Sequence, residues 1–419
     1  YFNNSLSEYP FRDESVRSVY DIVRSMTPQQ YREKRLRIVS NGTIIEEFVP
    51  PLATEAKPLP DDSKRARKRK EVSPDNFVYN LSKPHIPTKG LINRHIALWQ
   101  SHGYYYEQSL LRWEWQRARI FQTVEDLYTQ SYVLPFLVPM LENAGATVMM
   151  PRERDFQTNE VICDFDMKNS GYSEISGEYK WDNSGIPGFA KSKDYYLSGE
   201  NPFKEGYSRI VNTIKKGQES SAFWAAKVPV EGNYAVYISY QSVPNSTKNA
   251  IYKVLHSGGE TIFRVNQTIG GGTWIYLGTF RFKADPSLVQ GVLLSNITGE
   301  NGEYITADAV KFGGGMGNIA RGPSQGGIIP NRKSSSNEPL EVFIPSFNPD
   351  PVTSGYPRYT EGARYWLQWA GFNDSIYTPN QNSNDYNDDY MSRGKWVNVL
   401  SGGSAMNPGE NGYKGPLDL

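Results

Sequence analysis

Apolar positions change their spacing several times along the chain, and each change predicts a different element. Near the amino end Val16, Val19, Ile22 and Val23 recur at helical intervals, so residues 15–26 are expected to form a helix. Thr27-Pro28 then offers a cap and first turn for a second helix, and residues 36–49 alternate around Asn41-Gly42 as a hairpin does. Farther on, Ile96-Ala97-Leu98-Trp99 is an apolar run that ends in Gln100-Ser101-His102-Gly103. Residues 123–143 return to helical spacing, with Leu127, Leu134, Leu137, Val138 and Leu141 on one side and Gly145 as the stop. Pro135 and Pro139 each remove an internal hydrogen bond, at roughly 3 kcal/mol in a regular helix, which predicts a kink or break near Leu134. A second apolar run at 146–150 completes a strand, helix, strand order, the pattern of a βαβ unit.

Between 164 and 316 the period drops to two. Tyr234-Ala235-Val236-Tyr237-Ile238-Ser239-Tyr240 alternates, and residues 251–255 and 274–282 also read as strands between turn residues. Short strands at this spacing predict an all-β sandwich. A Gly, Ser, Pro and Asn-rich link at 317–338 follows, after which residues 359–371, stopped by Gly371, and 388–400 read as helices. The expected architecture is an α/β domain in two parts, 87–163 and 339–419, interrupted by the inserted sandwich at 164–316. Residues 1–86 make a small α+β region, with a solvated linker that contains Lys64-Arg65-Ala66-Arg67-Lys68-Arg69-Lys70.

Composition narrows the function classes. With 45 basic and 45 acidic residues the chain carries no net charge, which argues against a nucleic-acid partner. No run of about eighteen apolar residues is available to span a membrane. The single cysteine, Cys163, allows no disulfide within the chain and reads as a small buried hydrophobe. The 28 Tyr, 9 Trp and 37 Gly suit a β-rich extracytoplasmic protein of the cell envelope, or a secreted one, with glycan contacts. The chain begins at Tyr1 with neither an initiating Met nor a signal sequence, so a processed or partial product is expected, with both ends provisional.

The order of the βαβ segment resembles the bacterial zinc-dependent N-acetylmuramoyl-L-alanine amidases. His102-Gly103 stands at the first strand end, Glu125 opens the long helix, and Pro151-Arg152-Glu153-Arg154-Asp155 follows the second strand. The resemblance implies a zinc ion held by His102, Glu125 and a later His, with a later Glu moving the proton to the leaving amine. Its substrate would be the amide between N-acetylmuramic acid and L-alanine in peptidoglycan. Arg152 and Asp155 would support the loop as an ion pair. The chain departs from the family in supplying neither the later His nor the catalytic Glu, and in replacing the glycine-rich approach to His102 with Gln100-Ser101 before it and Tyr104-Tyr105-Tyr106 after it. Residues 410–419 look like the run-in to the strand that would carry the second His, so the second part of the domain is expected to be truncated.

The central region resembles the golvesin carboxyl-terminal, xanthan-lyase-like domain. The resemblance rests on Val228-Pro229-Val230-Glu231-Gly232-Asn233-Tyr234, Val265-Asn266-Gln267, Gly272-Thr273-Trp274-Ile275-Tyr276-Leu277-Gly278 and Ala307-Asp308-Ala309-Val310-Lys311-Phe312. No residue pair in it is fixed as the base and neutraliser of a lyase, and His256 reads as a turn residue.

Taken residue by residue, His102 is open between a zinc ligand and a hydrogen-bonded His at a strand end. Glu125 is open between a ligand and a first-turn acid favoured by the helix dipole. Trp113, Trp115, Arg117 and Arg119 are open between a glycan groove and packing on the sheet. Three readings remain: zinc-assisted amide hydrolysis, an inactive glycan-binding or scaffold protein that keeps the amidase-like fold, and a polysaccharide-binding module dominated by the sandwich with the amidase-like part as support.

Overall fold

The computed structural model describes residues 6, 11–40, 42–49, 76–84, 90–117, 119–322, 350–402, 409 and 412. The basic run at 64–70, His85, most of the link at 317–338 and the run-in at 413–419 lie outside them. The chain divides into two units, Tyr1–Glu71 and Val72–Leu419.

In the first unit helix α1 (Asp13–Met26) carries Asp13 and Glu14 in its first turn, where the helix dipole favours acids. It buries Val16 with Phe11, Ile38 and Ile45. Strands β1 (Val39–Ser40) and β2 (Thr43–Ile44) pair across a turn that Gly42 makes at φ +76°. Thr27-Pro28 opens only one 3₁₀ turn, Gln29–Tyr31, rather than a second α-helix.

The second unit opens with β3 (Val78–Asn80), β4 (His95–Ala97) and the hairpin of β5 (Tyr104–Glu107) and β6 (Arg112–Trp115). Helix α2 (Glu125–Tyr132) winds into a π turn over Val133–Leu137 and continues as α3 (Val138–Asn143). Pro135 falls inside that π turn and Pro139 near the start of α3, where a missing N–H costs least. Strand β7 (Thr147–Met149) then pairs parallel with β4, His95 opposite Thr147 and Ala97 opposite Met149. Leu134, Val138, Ala146 and Val148 form the small core beneath this unit.

The next twelve strands are β8 (Val161–Cys163), β9 (Tyr172–Ile175), β10 (Asp182–Gly188), β11 (Gly206–Asn212), β12 (Ser221–Ala225) and β13 (Gly232–Ile238), followed by β14 (Ala250–His256), β15 (Gly259–Val265), β16 (Ile275–Phe282), β17 (Gly291–Ser295), β18 (Tyr304–Ala307) and β19 (Val310–Phe312). One antiparallel sheet runs β3-β15-β14-β17-β12-β9, a second β16-β13-β19-β8, and a short third β10-β11-β18. They make the β-sandwich. Alternation works as the pattern expects in β14, where Ala250, Tyr252 and Val254 are fully buried. In β13 it fails, because residues 234–238 are buried on both faces. The face away from the sandwich core is covered by other elements, with Trp366 5.7 Å from Tyr237.

The chain returns through residues 316–322, already packed on the sandwich, to helices α4 (Ala363–Trp369), α5 (Asp374–Tyr377) and α6 (Asp385–Ser401). Every residue of α4 is buried. Asp385 at the start of α6 accepts from Arg321, Arg364, Tyr365 and Gln108, so one carboxylate ties the hairpin to the late helices.

Candidate functional site

Parallel pairing of β4 and β7 sets the site. Past the end of β4, Leu98 N donates to Met149 O (2.9 Å), Gln100 Nε2 donates to Glu153 O (3.1 Å), and the chain turns at Ser101 with φ +92°. That turn presents His102. A Cβ on Gly103 would stand 2.5 Å from Gly362 N, so only glycine lets the His102 loop lie this close to the backbone before α4. Tyr104, Tyr105 and Tyr106 follow. They enter β5, where Tyr105 and Tyr106 are buried and Tyr106 N donates to Tyr365 Oη (2.8 Å).

Glu125, the first residue of α2, places a carboxylate oxygen 3.7 Å from His102 Nδ1. Sequence separates these two by a hairpin and a loop, and the fold brings them together. The guanidinium of Arg117 lies against both, 3.0 Å from His102 Nε2 and 4.0 Å from Glu125 Oε2, and also donates to Tyr386 Oη on α6 (2.8 Å). Burial first, and then Arg117 and Arg393, hold the His102 imidazole below its usual pKa, against the pull of Glu125 and Asp389. The ring is neutral near pH 7, the form that ligates a metal. Beside it, burial pushes Asp126 up to about 6, although its Oδ2 accepts from Arg117 N.

Arg152 reaches the site through the backbone. Fully buried after β7, it donates to Ser101 O (2.9 Å), His102 O, Tyr359 O (3.0 Å) and Glu361 O (2.7 Å), locking the His102 loop to the late chain. Burial pulls its pKa down to about 10, so it stays charged at neutral pH. Asp155 faces elsewhere: its oxygens accept from Ala235 N (2.7 Å) and Gln157 N (3.0 Å) where the chain enters the sandwich. The expected support of the loop by an Arg152–Asp155 ion pair is therefore replaced by two separate anchors, one on carbonyls and one on amides.

His95 does not join His102, since its Nε2 lies 3.4 Å from Phe77 N at the other end of β4. His256 caps a sandwich turn by accepting from Gly258 N at Nδ1. Trp113 packs on Tyr365 (4.9 Å), and Trp115 on Tyr104 (4.8 Å). Among the described residues no three His, Cys, Asp or Glu side chains stand close enough together to hold a metal ion. His102 and Glu125 suit zinc in donor type, as one imidazole and one carboxylate, but they are two donors where a catalytic zinc takes about three. Arg117 was legible only as a basic residue in the connecting segment, and Asp126, Tyr386 and Asp389 carried no signal, because nothing in their spacing says which loop they face.

Among known proteins, the model of the golvesin C-terminal domain matches residues 181–314. The xanthan lyase of Bacillus sp. (strain GL1) is 34% identical over 97 residues, which are 23% of this chain and 10% of that protein. The chain thus spans about a tenth of that curated relative. The solved structure of Paenibacillus xanthan lyase is 27% identical and covers 36% of this chain and 13% of its own, at a TM-score of 0.28. The CBM22-1-GH10 modules of Clostridium thermocellum xylanase 10B, complexed with xylohexaose, are 14% identical and cover 37% of this chain and 28% of theirs, at a TM-score of 0.19. The central part of this chain is a golvesin C-terminal domain built as a xanthan-lyase-like β-sandwich. Among the described residues no helix is long and apolar enough to cross a membrane.

Proposed function

We propose that this chain belongs to a glycan-directed protein of the cell envelope, acting outside the cytoplasm, whose amidase-like α/β lobe hydrolyses the amide between N-acetylmuramic acid and L-alanine with a zinc ion held in part by His102 and Glu125. The observation that carries the reading is the approach of Glu125 Oε1 to within 3.7 Å of His102 Nδ1, at the end of one parallel strand and the start of the helix that leads to the next. The lobe is discontinuous in this reading, residues 87–163 and 339–419 flanking the sandwich at 164–316. Contacts from Tyr106 to Tyr365, Gln108 to Asp385 and Gln116 to Asp389 support that assignment.

Zinc, when bound, supplies a Lewis acid and an acidified water. The chain's own residues supply position. Arg152 fixes the carbonyls of Ser101 and His102, Glu125 gains from the positive end of α2, and the low pKa of His102 keeps its lone pair available. The matched sandwich domain and its likeness to a xanthan lyase support a carbohydrate partner surface.

Incubating the protein and zinc with peptidoglycan sacculi and identifying released fragments by mass tests this directly. Stem peptides with a free L-alanine amino terminus are expected, and are expected to vanish with Glu125→Gln. Sedimentation with sacculi and no released peptide would overturn the hydrolase in favour of a second reading, a binding or scaffold protein with the amidase-like fold. That reading is favoured by one observation, the guanidinium already set against both His102 and Glu125.

A further inference from the structure

We propose that the cleft between the sandwich and the end of α3 is a binding site for a neutral saccharide. The inference rests on the carbohydrate part of the proposed function and involves neither His102 nor a metal. The cleft has a volume of about 320 Å³, at the small end of the roughly 300–1,000 Å³ of small-molecule sites. Strands β3 and β16 form one wall, and the end of α3 with β7 forms the other. β3 extends the sandwich edge by pairing with β15, Val78 opposite Val265 and Asn80 opposite Phe263. In β16 the register with β13 slips between Gly278 and Tyr276, which makes a bulge at Leu277, and bulges re-aim side chains beside sites. Glycine at 278 lets the Phe280 ring lie across the strand, since a Cβ there would stand 2.8 Å from it. On the facing wall a Cβ on Gly145, at φ +103°, would stand 2.9 Å from the Ile92 backbone.

The lining sets the chemistry of the ligand. Tyr79, Tyr276 and Phe280 give aromatic surface, and Asn76, Asn143 and Thr147 give neutral hydrogen-bonding groups beside it. A sugar ring uses both, with an apolar C–H face for the aromatic rings and hydroxyls for the amides. Asn76 Oδ1 is buried and accepts no hydrogen bond within the protein. A buried acceptor left unpaired is unfavourable, and a ligand hydroxyl donating to it relieves that cost. The charged groups at the cleft are already engaged. Glu142 takes the Arg154 guanidinium at 2.8 Å, and Lys83 Nζ donates to Glu142 O at 3.2 Å. Arg154 also lies 3.8 Å over the Tyr276 ring and holds it in place. This lining suits a neutral ligand rather than an anion.

Titration calorimetry of the full chain with N-acetylchitohexaose and with xylohexaose, followed by methyl NMR of the mixture, tests the proposal. At least one hexasaccharide is expected to bind and to move the methyl signals of Val78, Ile92, Val148 and Leu277, which line the cleft. Asn76→Ala is expected to weaken that binding about tenfold, the loss of one hydrogen bond to a buried acceptor. Shifts at other methyls with those unmoved, or full affinity in a folded Asn76→Ala variant, would overturn the site. Sedimentation with peptidoglycan sacculi but binding of neither hexasaccharide would also overturn it, and would leave the carbohydrate reading standing. Binding to none of these glycans would remove both.

Discussion

Single side chains in this molecule carry more than surface chemistry, because several charges are fully buried at the seam between the α/β segments and the sandwich. Lys311 and Glu153 pair at 2.9 Å with neither side chain exposed, and Tyr237 Oη donates to the same carboxylate. Burial opposes the charged form of Glu153, yet Lys311 and the Tyr237 hydroxyl hold its pKa below the usual carboxylate range. Lys311→Met would strand that carboxylate, and is expected to cost about 3–5 kcal/mol in a urea unfolding curve. Glu361 gives the opposite sign. Burial lifts its pKa from 4.5 to about 7, although Ser354 and Arg358 oppose the rise. The folded state thus holds this proton more tightly than the unfolded chain, so its contribution is full below pH 4.5 and is lost as pH rises through 7. Glu361→Gln removes this dependence, and its stability relative to the native protein is expected to rise by about 3 kcal/mol between pH 4 and pH 8. Legibility at this scale was uneven. His102 and Glu125 stood out through the resemblance, whereas the roles of Arg117 and Asp126 depend on which loop folds back over the pair, and spacing along one chain does not encode that.

At the scale of elements, periodicity was a good guide where one face is solvated. Strand β14 and helix α1 follow their patterns, and α1 starts and ends within two residues of the expected span. The helix over 123–143 shows how the prolines are accommodated: the expected irregularity near Leu134 is a π turn containing Pro135, so the chain stays helical instead of breaking. Both β13 and α4 form where the pattern expects a strand and a helix, but uniform burial erases the period that would identify their inward face. The joint between the His102 loop and the chain before α4 was also invisible, since it is made by backbone. Tyr104 O accepts from Gly362 N (3.0 Å), and Gly103 has no room for a side chain. Gly103→Ala is expected to push the two segments apart, lowering stability by about 1–3 kcal/mol and reducing zinc uptake together. Loss of stability with unchanged zinc uptake would show that the joint does not position His102.

For the whole molecule, the sandwich was legible from short strands, turn residues and four sequence motifs, and the golvesin domain match supports it over 181–314. The expected two-part α/β domain fares differently: among the described residues β4 and β7 pair in parallel, as the strand, helix, strand order predicts, while the late helices pack into the core of the sandwich. What unites these pieces is the set of buried arginines, with Arg152 on the His102 loop and Arg321 and Arg364 on Asp385. The account therefore stands or falls on whether His102 and Glu125, gathered by that framework, hold a metal. Zinc per chain in protein purified from its native source measures this most directly. About one zinc in the native protein, the content of a single catalytic site, and none in Glu125→Gln is the predicted result. A folded native protein without zinc, or a Glu125→Gln variant that keeps it, would contradict the account.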